Sequence, residues 1–432
     1  MTTETGHKLI AREHLAPFLL VTVLFFLWAI PHNLNDVLIR QFMKSFEITR
    51  LKAGLIQSAF YMGYFLLSMP AALLMRRLGY KAGLVTGLFL YSTGTILFWP
   101  AAIVGRYAFF LVALLIIGAG LAFLETGANP FIAQLGDPAT SERRLNLAQA
   151  FNPLGAISGA LIGTVFIFSG VELNNAQVEG MKIAGTYRAY LHHETLRVIT
   201  PYLVLACVVL VWALLIIRTK FPHVAGESAE DSMVAGGFGG IFKFPHYVLA
   251  VIAQFFYVGA QVGTWSYFIQ YIQGYVHQPE KIAGYFLTGT LVAFCVGRFT
   301  STYLMKFVQP SLLMGVFAAI NVALAGAAVV FPGWVGVGAI FLTSFFMSLM
   351  FPTIFALGIK GLGPHTKMGG SLLVMAIVGG AAFTPIMGLI SDATGSMAMA
   401  MLVPLSCYVF IAYYSFLGSR VRLPARVAES AR

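Results

Sequence analysis

Long apolar runs alternate with short polar breaks along nearly the whole chain. Most runs are roughly 18 to 25 residues long, the length at which a helix crosses about 30 Å of hydrocarbon. The pattern predicts helices over 15–39, 53–75, 82–102, 107–132, 145–169, 201–217, 247–272, 282–307, 310–331, 334–359, 368–391 and 397–418. An outer-membrane barrel would instead show alternating segments of about ten residues, a pattern this chain lacks. The expected class is therefore an all-α polytopic membrane protein with twelve transmembrane helices. One polar stretch, 218–246, separates the sixth run from the seventh. It carries Glu227, Ser228, Glu230, Asp231 and a Gly-Gly-Phe-Gly-Gly sequence. It reads as a flexible cytoplasmic linker between an N-terminal six-helix bundle, 1–217, and a C-terminal one, 247–432.

Composition supports the membrane reading. Hydrophobic residues make up 59% of the chain, charged residues 10%, and the mean hydropathy is +0.83. A soluble domain carries about 25% charged residues. The 44 glycines suit close helix packing, since small residues let backbones approach in lipid. Cys207, Cys295 and Cys407 all lie in apolar runs, so no disulfide framework is expected. The polar start leads directly into a long span, which is unlike a secretory signal peptide.

The net charge of +11 could suggest a nucleic-acid partner. In a membrane protein, basic residues mainly set orientation, so no nucleic acid is expected. Of the 27 Lys and Arg, 17 fall in the connections that share a side with both termini and 9 on the other side. Arg298 lies within a span. Both termini are therefore expected in the cytoplasm, in the inner (cytoplasmic) membrane of a bacterium. The connection at 40–52 dissents, with Arg40, Lys44, Arg50 and Lys52 on the outside.

The halves echo each other. Ala53-Gly54 followed by Leu74-Met75-Arg76 matches Ala283-Gly284 followed by Leu304-Met305-Lys306. Pro130-x-Ile132-x-x-Leu135-Gly136 matches Pro352-x-Ile354-x-x-Leu357-Gly358. These echoes pair the second span with the eighth and the fourth with the tenth, as in a duplicated six-helix unit. That is the plan of the major facilitator fold, two pseudo-symmetric six-helix bundles. The stretch from Ala72 to Lys81 resembles the basic loop that this superfamily carries after its second helix. Arg77, Gly79 and Lys81 fit the pattern, while Ala72 and Arg76 depart from its usual Gly and Asp.

Against so apolar a background, polar residues inside spans are conspicuous. Asp36 and Glu125 lie within apolar runs. An acid at mid-bilayer costs about 2.5–3.5 kcal/mol on the lenient insertion scale, so its default explanation is an ion or substrate pathway. Asn33 and Asp36 are three apart, Glu125 and Asn129 four apart, and Gln149 and Asn152 three apart, so each pair shares a helix face. The seventh span carries Gln254, Tyr257, Gln261 and Trp265, the eighth Arg298 and the ninth Asn321. Amides and carboxylates supply the donors and acceptors that sugar hydroxyls need. Aromatic rings offer flat apolar faces to the sugar's C–H surface. Removal from water favours the protonated form of a carboxyl, so such a group can carry a proton.

Blander readings accompany each of these. A single amide can be interhelical glue. Asp36 could sit at the outer water interface, paired with Arg40. Arg298 is either a cavity residue or a structural partner of Glu125. His192-His193-Glu194 lacks the second His of a zinc-binding helix and reads as solvated surface, so no metal or cofactor is expected. Met347, Met350 and Met375 read as packing.

Several stretches together resemble the fucose–galactose–glucose:proton symporter family of the major facilitator superfamily. They include Asn33-Leu-Asn-Asp36, Leu124-Glu-Thr-Gly-Ala-Asn-Pro130, Leu145-Asn-Leu-Ala-Gln149, Tyr257-Val-Gly-Ala-Gln261, Leu287-Thr-Gly-Thr290 and Gly297-Arg-Phe-Thr300. The resemblance runs from the first span to the twelfth. It implies a proton-coupled sugar importer working by alternating access, with L-fucose or a related hexose as substrate. It places the coupling carboxylate on Asp36 and a sugar-recognising carboxylate, sharing the proton, on Glu125. Further sugar contacts are expected from Asn33, Asn129, Gln149, Asn152, Tyr257, Gln261 and Arg298. His32 and Phe351 stand where the family pattern has Asn and Tyr, which bears on the choice of sugar. A monomer in the lipid bilayer is expected, exchanging only sugar and protons. The competing reading is a proton-coupled exporter of amphipathic compounds, which would call for a more aromatic and less amide-rich cavity. No nucleophile–base arrangement suggests an enzyme.

Overall fold

The computed structural model describes residues 14–136, 141–222, 238–362 and 366–420. Among these, twelve helices are long and apolar enough to cross a membrane, and there is no strand. They are α1 (Leu15–Ser45), α2 (Arg50–Met75), α3 (Arg77–Val104), α4 (Tyr107–Ile132), α5 (Leu147–Ile167) and α6 (Tyr187–Arg218). The second six are α7 (Pro245–Val276), α8 (Glu280–Leu304), α9 (Pro310–Val330), α10 (Trp334–Ile359), α11 (Leu372–Thr394) and α12 (Met397–Gly418). Of the polar stretch, 223–237 lies outside the described residues, with Glu227, Ser228, Glu230 and Asp231.

Contacts divide the chain into two compact units. The first holds the described residues up to Gln41 and those from Met62 through α6. The second holds Phe42–Tyr61 and the described residues from 238 onward.

In the first unit, helices meet where side chains are smallest. Gly155 on α5 lies against the Phe26 carbonyl of α1, and Gly63 on α2 against the Leu115 carbonyl of α4. Two long side chains find backbone partners for their polar tips. The Tyr91 hydroxyl donates to the Leu27 carbonyl at 3.0 Å and the Trp212 indole to the Leu20 carbonyl at 2.9 Å. Close to the start of α3 the chain turns at Gly79, whose φ of 82° suits glycine. Two residues on, Lys81 donates to the carbonyls of Ile217 and Thr219, both at 2.9 Å. It thereby places a cation at the C-terminus of α6, where the helix dipole favours one.

Several elements differ from the sequence expectation. The first helix continues past residue 39 to Ser45, and the sixth begins at Tyr187 rather than 201. Tyr187–Leu196 is helical, and so is Asn175–Ile183, closed by a capping box between Asn174 and Gln177. His192 and His193 are exposed as expected, but Glu194 is not solvated surface. It is 2% exposed and accepts from Gln41 through both its backbone carbonyl, at 2.8 Å, and its carboxylate, at 3.3 Å. Among the described residues no group of three or more His, Cys, Asp or Glu could hold a metal ion.

In the second unit α7 is the central helix. One face packs on α11, where Gly259 meets the Phe383 ring and Gly379 the Phe255 carbonyl. The segment Phe42–Tyr61 is tied to this unit by polar contacts. Gln57 donates to Ser266 at 2.9 Å and Ser58 to the Ala381 carbonyl at 2.7 Å. The first amides of α2, Arg50 and Leu51, donate to the Asp392 carboxylate at 3.2 and 2.8 Å. An anion is well placed at a helix N-terminus.

Candidate functional site

In the first unit the expected residues come from α1, α4 and α5. Asn33 and Asp36 are 4% and 2% exposed, so Asp36 is shielded rather than set at an open surface. Asn33 donates to the Ala29 carbonyl at 3.0 Å, leaving its Oδ1 buried without a hydrogen-bond partner. On α4, Glu125 and Asn129 are only part-buried. Asn129 donates to the Glu125 carbonyl at 3.1 Å, and Gln149 of α5 donates to Asn129 Oδ1 at 3.2 Å. Asn152 donates to the Phe25 carbonyl of α1 at 3.4 Å. The amides therefore link α1, α4 and α5 into one polar cluster that includes the Glu125 turn.

The helical run containing Gln149 and Asn152 is interrupted between them. One helix ends at Gln149 and the next starts at Phe151. The residue between them, Ala150, keeps right-handed helical dihedrals, with φ −64° and ψ −17°, so α5 continues through the break. The break falls where the sequence places two candidate ligands.

Two further residues join this cluster. The Tyr64 hydroxyl faces the Glu125 carboxyl, and the His32 ring lies 5.5 Å from the Tyr64 ring. His32 Nδ1 is held 2.8 Å from the Trp28 carbonyl. Sequence reasoning noted His32 but missed Tyr64. The one available signal was a tyrosine hydroxyl in a span, and this chain has 18 tyrosines.

In the second unit Tyr257 is fully buried and Gln261 part-buried, one turn apart on α7. Tyr257 lies 6.2 Å from the Phe351 ring and in the electrostatic field of Arg298. The Arg298 guanidinium sits 5.2 Å from the Phe294 ring centre, a cation–π contact. The Tyr257 hydroxyl and Arg298 Nε are buried without hydrogen-bond partners. Phe294 also packs edge-on against Trp265 at 5.2 Å, and the Trp265 indole donates to Ser344 at 2.9 Å. Ser344 accepts in addition from Thr290 at 2.7 Å. This chain of contacts fixes the Trp265 ring. α10 is itself interrupted at Ser348 and Leu349, beside Phe351. Asn321 donates to the Thr343 carbonyl at 3.3 Å, as expected of interhelical glue.

A family model described as Major Facilitator Superfamily matches residues 17–369. The chain is 46% identical over 408 residues to the L-fucose-proton symporter of Escherichia coli (strain K12), covering 93% of this chain and 92% of that protein. It is 34% identical over 413 residues to the glucose/galactose transporter of Brucella abortus biovar 1 (strain 9-941), covering 93% of each. The crystal structure of the E. coli fucose:proton symporter is 44% identical and superposes with a TM-score of 0.71, covering 95% of this chain and 100% of that one. With twelve candidate spans and the family match over most of its length, the chain belongs to the Major Facilitator Superfamily.

Proposed function

We propose that this chain imports L-fucose with a proton by alternating access across a bacterial inner membrane. The observation that carries this reading is 46% identity, over 93% of the chain, to a symporter of that sugar. The clustered acids and amides are the chemistry such a task requires. Asp36 is the coupling carboxylate, loaded with a proton on the outer side and emptied on the inner side. Glu125, part-exposed and facing Tyr64, binds sugar hydroxyls and shares the proton. Asn33, Asn129, Gln149, Asn152, Tyr257, Gln261 and Arg298 supply donors and acceptors. The protein acts as a monomer in the lipid bilayer with both termini cytoplasmic, and as a carrier rather than an enzyme.

The driving force suffices. One charge moved through 100 mV is worth about 2.3 kcal/mol. At about 1.4 kcal/mol per tenfold, this supports roughly fifty-fold accumulation. Import of galactose or glucose is the second reading, favoured by the 34% identity to glucose/galactose transporters.

The deciding experiment is uptake of radiolabelled L-fucose into proteoliposomes, with and without an inward proton gradient, in competition with galactose, glucose and arabinose. Gradient-driven accumulation blocked by unlabelled L-fucose supports the first reading. Strong competition by galactose or glucose with weak L-fucose uptake selects the second. Failure of every sugar overturns both.

A further inference from the structure

Gln254 is wholly buried on α7, and both Nε2 and Oε1 of its carboxamide lack a hydrogen-bond partner. Among the described residues it is the one buried amide with neither end satisfied. Asn33, Gln41, Gln270 and Asn321 each leave a single atom unpartnered. An amide that bonds to nothing does not act as interhelical glue. Leaving both ends unpaired destabilises the fold, and an apolar side chain of similar size would avoid that cost. Natural proteins break such local rules chiefly where function requires it.

The position of Gln254 indicates that function. Ala250, Gln254, Tyr257, Gln261 and Trp265 recur at spacings of three and four, so they share one face of α7. That face meets α10: Ala250 lies against Gly358, Tyr257 beside Phe351, and Trp265 on Ser344. The opposite face, with Gly259 and Gly263, packs on Phe383 and Met387 of α11. Gln254 therefore sits between two contacts with α10, one turn from Tyr257. The Tyr257 hydroxyl is unpartnered too, as is Nε of its electrostatic neighbour Arg298.

We propose that Gln254 is a further sugar-binding residue, its carboxamide donating to one hydroxyl of a monosaccharide and accepting from the adjacent one. A carboxamide presents a donor and an acceptor side by side, the complement of two neighbouring hydroxyls. This inference rests on the sugar-transport reading above. It extends the second unit's contribution from Tyr257, Gln261 and Arg298 to a residue one turn further along α7.

The test uses the purified full-length protein, its Gln254→Leu variant and its Gln254→Met variant. Thermal unfolding and binding of L-fucose and its monodeoxy analogues are measured for each. Both variants are expected to keep or raise Tm while binding L-fucose at least tenfold more weakly. At least one monodeoxy analogue that binds the wild type poorly should bind the variants as well as L-fucose does. Unchanged L-fucose affinity in the variants overturns the assignment. So does loss of folding in both variants, since the amide would then have a structural partner. If the wild type itself binds none of these sugars or the competing hexoses, the transport reading falls and the assignment with it. Wild-type binding that both variants retain removes Gln254 alone.

Discussion

Lys44 Nζ lies 3.0 Å from Glu280 Oε1, joining the last turn of α1 to the first turn of α8, and the Glu280 side chain is fully shielded. Two other cations of the dissenting connection also meet acids. Arg40 lies 3.9 Å from Glu172 and Arg50 4.0 Å from Asp392. The 40–52 region is thus not a free basic loop, and three of its four cations meet defined acidic partners. Removing one member of a buried pair costs about 3–5 kcal/mol, because the remaining charge stays desolvated. Lys44→Met should therefore lower stability by about 3 kcal/mol, read by thermal unfolding in detergent. Adding Glu280→Gln to that variant should recover part of the loss. A Lys44→Met protein with wild-type Tm would show that the pair contributes nothing.

Asp36→Asn should abolish accumulation of sugar against its gradient while preserving exchange of external for internal sugar. Exchange needs the site to reorient loaded, whereas accumulation also needs the proton to be released. Proteoliposome uptake and counterflow measure the two separately. A variant that still concentrates sugar removes Asp36 from the coupling role.

Glu125→Gln keeps the size and the acceptor oxygen but removes the ionisable carboxyl that faces Tyr64. Hydrogen bonds to a charged acceptor are worth about twice neutral ones. The expected loss of sugar affinity is about tenfold, or ~1.4 kcal/mol. Direct binding at fixed pH checks this, and unchanged affinity and selectivity would take Glu125 out of the sugar site.

Gly155→Val tests the packing within the first unit. Any Cβ at this position meets the Phe26 carbonyl, which is backbone and does not swing aside. Overpacking of this kind costs about 1–3 kcal/mol. A lower Tm with reduced uptake is expected, and an unaltered Tm would show that α1 and α5 can separate freely.

The number and approximate placement of the spans were legible in the sequence because a bilayer sets one strict length rule and penalises every polar departure. For the same reason Asp36, Glu125 and the amides of α1, α4 and α5 stood out, since in so apolar a chain each polar residue is a visible exception. Hydropathy sums over a window, however, and does not register single-residue events. It did not register the local breaks in helical hydrogen bonding at Ala150 and at Ser348–Leu349. It read 187–196 as loop because Arg188, Glu194 and their neighbours are polar, although α6 extends through them. It placed Glu194 in solvent because it could not foresee Gln41, 153 positions away in sequence, as its partner. Tyr64 beside Glu125 and the unpartnered amide of Gln254 likewise exist only once helices distant in sequence are packed. The sequence by itself determined what crosses the membrane and which polar groups cross with it, because the solvent imposes those limits on each segment separately. Only the tertiary structure decided which polar groups have partners, because hydrogen bonds and ion pairs depend on positions in space rather than along the chain.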